Sequence, residues 1–265
     1  MLVVKLGGTT VRYGREKILK KIYNLEYNRL VIVVSALSEI TDLLLEGDIE
    51  KVRNIHYEMT SNPKTRMKID KCISEYVYPT NPKMVDKALS CGELMSMHLF
   101  SEFLDMEHVC IPSHEFIKTD DTYTDANVDY QETKTLINKM FFGVGCSRVI
   151  LTTGFIGGHK NEITTLGRGG SDFTASIIGS ITEADRIIIY TDVDGLMTSD
   201  PKTDKKAKLI RQITYKDAMV MSKNGAKVLY HKTIDPLIGT NIKLLILNTF
   251  SERCDGTVIS DGYVF

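Results

Sequence analysis

Five short runs along the chain, 2–6, 30–34, 148–152, 186–190 and 243–247, carry apolar, largely β-branched residues at consecutive positions. Consecutive rather than alternating apolar residues mark strands covered on both faces, as in a parallel sheet between two layers of helices. Between these runs the apolar positions recur at helical spacing, over about 15–28, 84–104, 172–182 and 232–238. Strands alternating with helices predict an α/β fold, a three-layer sandwich with a largely parallel central sheet. Residues 42–105 interrupt the alternation as a polar, helix-rich insertion holding Pro63-Lys64 and Pro82-Lys83. No internal repeat, low-complexity tract or interdomain linker divides the chain, so 1–265 reads as a single domain.

The polar interruptions of this pattern carry the candidate chemistry. Lys5 sits inside the first apolar run, which feeds Gly7-Gly8-Thr9-Thr10. A strand lysine ordinarily snorkels from a sheet edge. Beside a glycine pair at the carboxyl end of a strand, where open α/β sheets bind ligands, the same lysine points to a phosphate contact. The spacing is neither that of a P-loop nor that of a dinucleotide fold. Thr165-Leu166-Gly167-Arg168-Gly169-Gly170-Ser171-Asp172 reads as an anion site. Its glycines let backbone N–H groups approach an oxyanion, and a helix starting near Ser171 or Asp172 aims its positive end at the same place. Arg168 supplies a planar fork for a carboxylate or phosphate, and Asp172 the opposite charge for a cation or amino group. A small, anionic, zwitterionic substrate follows. A third segment, Ile187 to Pro201, runs a β-branched strand into a turn with Asp192, Asp194 and Gly195, and Gly225-Ala226-Lys227 places a second isolated lysine at a turn.

In this order these segments resemble the amino-acid kinase superfamily and, within it, the catalytic domain of the aspartate kinases. The resemblance rests on Lys5 to Thr10, Val33-Val34-Ser35-Ala36 with Thr41 beyond, Gly92-Glu93-Leu94 and Gly154-Phe155-Ile156-Gly157. It continues through Thr164 to Asp172, Tyr190 to Pro201, Gly225 to Leu229, Asn248-Thr249-Phe250 and Gly256-Thr257. It implies the amino-acid kinase fold, with an amino-acid-binding lobe to about residue 180 and a nucleotide-binding lobe over about 181–265. It also implies ATP and Mg2+ as cofactors, transfer of the γ-phosphoryl group to a small amino acid, and a homodimer. By the same resemblance Lys5 and Lys227 compensate charge on the transferred group and Asp172 organises the lysines or the metal. Arg168 grips the α-carboxylate and Glu93 the α-ammonium, while Ser35, Thr41 and Ser171 lie beside the acceptor. Gly7, Gly8 and Gly170 present N–H groups to phosphate, and Thr9, Thr191, Asp192 and Lys202 meet the nucleotide. The protein ligands of the metal cannot be read from the sequence. Aspartate kinases usually continue into paired regulatory ACT modules past the segment matching Asn248 to Ile259, and this sequence stops at Phe265. Feedback through such modules is therefore not expected of this polypeptide.

Composition narrows the setting. With 33 basic and 34 acidic residues the net charge is -1, which favours neither nucleic acid nor an acidic membrane surface. The five cysteines lack C-x-x-C spacing, and no apolar run approaches the ~20 residues of a membrane span. Both features point to a reduced, cytoplasmic enzyme.

Four departures from the family pattern bear on the substrate. Pro112-Ser113-His114 stands where Asp-Ala-Arg is usual, Met197 replaces a tyrosine, and Tyr230-His231 replaces His-Pro. Glu39 stands at a position that is typically glycine. A carboxylate beside Ser35 and Thr41 would repel the β-carboxylate of aspartate by roughly 1 kcal/mol at ~4 Å, and by several in a shielded cleft. It would help to deprotonate the hydroxyl of homoserine. Two acceptors therefore stand at this stage, aspartate first and homoserine second. A third reading, a non-catalytic nucleotide-binding sensor, conflicts with the presence of Lys5, Arg168, Asp172 and Lys227 together.

Overall fold

A computed structural model of the chain describes residues 1–143, 146–199, 204–223, 229–252 and 256–261. The first half runs β1 (Leu2–Leu6), α1 (Gly8–Tyr13), α2 (Arg15–Tyr23), β2 (Leu30–Val34), α3 (Ile40–Glu46), α4 (Ile49–Met59), α5 (Pro63–Ser74), α6 (Pro82–Phe103), β3 (Val109–Cys110) and α7 (Tyr130–Phe142). It continues with β4 (Val149–Thr153), β5 (Ile156–His159), β6 (Glu162–Thr165), α8 (Gly170–Ile181), β7 (Arg186–Thr191), β8 (Gln212–Ile213), α9 (Tyr215–Lys223), α10 (His231–Ile234), β9 (Lys243–Asn248) and β10 (Thr257–Ile259).

The eight-stranded sheet has the order β3-β4-β2-β1-β7-β9-β10-β8, and β5 and β6 form a separate antiparallel hairpin. All pairings in the large sheet are parallel except β9 with β10. The expected sandwich is therefore present, with one antiparallel pairing. Alternate strand residues face two different cores. Leu2, Val4, Leu6, Ile32 and Val34 pack with the helices between β1 and β3. Val3, Val31, Val33, Ile187 and Ile189 pack with the helices after β3. Both faces of the strands are thus withdrawn from water, and the runs can be apolar throughout.

The insertion is helical because its sequence supplies its own starts. Asn62-Pro63 and Asn81-Pro82 open α5 and α6, each asparagine accepting a bond from a first-turn N–H, Lys64 N and Met84 N, both at 3.0 Å. Proline at the first helical position lacks a donor that would go unpaired there anyway. The helix expected over 15–28 ends at Tyr23, where the N–H of Asn24 turns back to the carbonyls of Lys21 and Ile22. The apolar residues beyond it, Leu25 and Tyr27, pack against the core from a loop.

β1 pairs with β2 on one side and β7 on the other. The order of strands reverses there, and the carboxyl ends of strands at such a switch point open a crevice.

Candidate active site

The crevice holds a cleft of about 230 Å³ lined by Lys5, Ser35, Thr41, Glu93, Phe155, Arg168, Ser171 and Asp172, with Gly167, Gly169 and Gly170. Four separate elements meet in it. Lys5 comes from β1, on the face that carries Val3, and reaches α8. Its Nζ lies 2.7 Å from Asp172 Oδ1, and both side chains are largely buried. The pair fixes a cation at the floor of the cleft. Among the described residues a larger groove of about 1030 Å³, lined by Tyr23, Met106, Arg148 and Asp185, contains none of the residues expected at the site.

Glycines decide how closely these elements approach. A Cβ at Gly8 would stand 2.3 Å from the carbonyl oxygen of Ala36, so α1 rests directly on the loop after β2. A Cβ at Gly154 would stand 2.5 Å from that of Ser171, so the start of α8 lies against the end of β4. Gly167 and Gly169 have φ of 73° and 72°, a left-handed backbone that suits glycine. These two turns set Arg168 at the exposed mouth of the cleft, its guanidinium carbon 6.0 Å from the centre of the Tyr230 ring.

Glu93 projects from the middle of α6 and is almost wholly buried. Burial pushes its carboxyl up to about 8, against the pull of the Ala36 and Gly154 N–H groups and the charge of Lys5. Among the described residues its Oε2 has no hydrogen-bond partner. A buried, unpartnered carboxyl oxygen in a cleft with a cation floor suits a ligand that brings its own positive charge. Gly92 makes the position reachable, because a Cβ there would crowd Ile40, Leu44 and Ala36 at 3.1–3.2 Å.

Several expected site residues stand differently. Glu39 does not line the cleft. It caps α3 with φ of 74°, its side chain is 57% exposed, and its Oε2 lies 3.2 Å from Arg12 Nη1. The left-handed backbone explains the preference for glycine at this place, and the repulsion argument that favoured homoserine loses its basis. The N–H of Gly7 donates to Tyr190 O at 3.1 Å and that of Gly170 to Gly167 O at 3.0 Å. Both are engaged within the protein, so neither is a spare phosphate donor. Gly8 and Thr9 keep first-turn positions at the start of α1, where N–H groups lack helical partners. Thr191 ends β7 beside the end of β1 and Asp192 follows it, Thr191 Oγ1 donating to Asp192 Oδ1 at 3.3 Å. Lys202 and Lys227 lie outside the described residues.

Fold and cleft together define an α/β protein with a cleft at a strand switch point, where the Lys5–Asp172 pair, the buried Glu93 and the exposed Arg168 meet. The sequence matches the Amino acid kinase family over residues 1–248, and the chain belongs to that family. It is 32% identical to the aspartokinase of Rickettsia prowazekii (strain Madrid E), over 98% of this chain and 54% of that protein. It is 30% identical to lysine-sensitive aspartokinase 3 of Escherichia coli (strain K12), over 98% of this chain and 64% of that protein. The crystal structure of E. coli aspartokinase III in complex with aspartate and ADP matches the fold with a TM-score of 0.90 at 28% identity. That match covers 100% of this chain and 65% of the other. The chain thus spans between about half and two thirds of the length of these relatives.

Proposed function

We propose that the protein is an ATP-dependent aspartate kinase, in which a β-carboxylate oxygen of aspartate attacks the γ-phosphorus of ATP. The bond from that phosphorus to the ADP oxygen breaks, leaving 4-phosphoaspartate and ADP. The observation that carries this reading is the convergence of Lys5, Asp172, Glu93 and Arg168 on one cleft. Arg168 at the mouth takes the α-carboxylate through its planar fork. Glu93 takes the α-ammonium, which neutralises a carboxylate that burial otherwise keeps protonated. Ser35, Thr41 and Ser171 line the space left for the side chain. The acceptor is already ionised at neutral pH, so no base is required of the protein.

Phosphoryl transfer depends on positioning and on neutralising charge spread over the phosphoryl oxygens. Lys5 supplies one positive charge there, held by Asp172, and Lys227 is proposed to supply the second. The nucleotide is proposed to lie along the ends of β1 and β7, against Gly8, Thr9, Thr191, Asp192 and Lys202. Among the described residues no three metal-ligating side chains come together. That donor set fits Mg2+ carried on the phosphates of ATP with one protein carboxylate, and Asp172, which lines the cleft beside Lys5, would be the one to hold it. Bound there, the ion would neutralise phosphate charge.

No described helix is long and apolar enough to cross a membrane, and the reduced cytoplasm remains the proposed setting, with a homodimer the proposed assembly. ADP release measured against a panel of amino acids, with hydroxylamine to trap an acyl phosphate, tests the reaction. Aspartate-dependent ADP release with a hydroxamate product is expected. Release with homoserine and no hydroxamate, or none with any amino acid, would overturn the reading.

A further inference from the structure

One buried carboxylate lies outside the cleft and is used by none of the steps above. Asp86 is on α6, seven residues before Glu93 and on the same side of the helix, and it is fully buried. Its Oδ1 accepts from Thr165 Oγ1 at 2.7 Å and Thr124 N at 3.1 Å, and its Oδ2 from Thr165 N at 2.9 Å and Thr124 N at 3.0 Å. Three donors, two from the end of β6 and one from the loop before α7, therefore converge on one carboxylate. Burial raises its carboxyl, and the hydrogen bonds from Thr124 and Thr165 oppose the rise.

Both segments lead to Arg168. Thr165 ends β6 and enters the glycine turn three residues before Arg168, and its own carbonyl accepts from Ala126 N at 2.9 Å. Thr124 is a β-branched residue at φ of 71°, a strained conformation that needs an external hold. The next residue, Asp125, presses its carboxylate against Gly167, where a Cβ would stand 2.1 Å from Oδ1. The same carboxylate pairs with Lys232 at the start of α10. Asp86 thus grips the turn directly at Thr165 and, through the strained Thr124, indirectly at Gly167.

We propose that Asp86 is a positioning residue that holds the Gly167–Gly170 turn, and with it Arg168, in the geometry that receives the α-carboxylate of the acceptor. The inference rests on the aspartate kinase reading for the identity of that acceptor. Only a carboxylate serves, because asparagine offers one oxygen and sets its own N–H groups against the threonine donors. Asp86→Asn tests this, with Thr165→Val as a second variant that removes one donor and leaves the Asp86 carboxyl in place, and Thr165→Ser as the conservative control.

Hydrogen exchange of the amides over 165–170 in the ligand-free protein reports the hold on the turn, whatever the substrate. Asp86→Asn is expected to speed it at least tenfold, Thr165→Val less, and Thr165→Ser to leave it near wild type. Aspartate affinity by calorimetry and KM for aspartate should weaken at least tenfold in Asp86→Asn, with KM for ATP within about twofold. Unchanged exchange over 165–170 would overturn the positioning role. So would a lowered melting temperature with unaltered aspartate affinity, which is the outcome of a merely structural carboxylate. A wild-type protein that ignores aspartate would refute the acceptor, and the exchange data would still decide the hold on the turn.

Discussion

Lys5 on the central strand and Asp172 in the first turn of α8 stand 2.7 Å apart, and their contact ties the sheet to the helix that starts at the anion turn. The pair has two separable roles. It joins two elements through largely buried charges, and it places an ammonium where phosphoryl charge develops. Lys5→Met leaves Asp172 without its partner, which costs about 3 kcal/mol of stability, and lowers kcat by about 10²-fold or more. Lys5→Met combined with Asp172→Leu should regain much of the melting temperature without regaining turnover. Thermal unfolding and steady-state rates on the three proteins check it, and recovery of activity in the double variant would refute the role of the cation.

Glu93 sets a pH dependence with a definite sign. Its folded carboxyl titrates near 8, above its ordinary value of 4.5. The folded state therefore holds a proton that the unfolded chain has released, and stability falls as pH rises from about 4.5 to 8. Each unit within that window is worth up to about 1.4 kcal/mol. Glu93→Gln should flatten the slope of ligand-free stability between pH 5 and 8.

Binding of an α-ammonium to the same carboxyl requires that proton to leave. Aspartate binding at pH 7 should accordingly release close to one proton in the wild type and none in Glu93→Gln. Calorimetry in buffers of different ionisation enthalpy measures this number. Equal release in the two proteins would place the ammonium elsewhere.

Arg168→Lys should raise KM for aspartate by at least about tenfold, because a point charge cannot reproduce a bidentate contact with a carboxylate. ATP affinity should be spared. Loss of ATP affinity with normal aspartate affinity would move Arg168 from the acceptor to the nucleotide.

Glu39→Gly should leave aspartate turnover unaltered, since the side chain points to Arg12 and solvent rather than into the cleft. Relief of the left-handed backbone is worth about 1–2 kcal/mol, offset by up to about 1 kcal/mol for the exposed ion pair. A stability gain of between about 0 and 2 kcal/mol in denaturant unfolding is the expected result, and a marked loss would mean that the ion pair outweighs the strain.

Much of this protein is written locally. The strands are legible because a side chain alternates faces whatever lies above it, so a continuous apolar run states that both faces are covered, as in Leu30–Val34. Asn62-Pro63 and Asn81-Pro82 announce helix starts because cap and first turn are neighbours in the chain. Lys5 stands out because a charge inside such a run needs a partner. What the sequence could not show is which distant groups meet. That Glu39 turns to Arg12 and that the Gly7 N–H bonds to Tyr190 O follow from packing. Asp86 is the clearest case. On a helix it resembles any acidic side chain, and no spacing links it to Thr124 or Thr165. Only the docking of α6 against β6 and the loop before α7 brings three donors to it, and with them the reason for a buried acidic side chain.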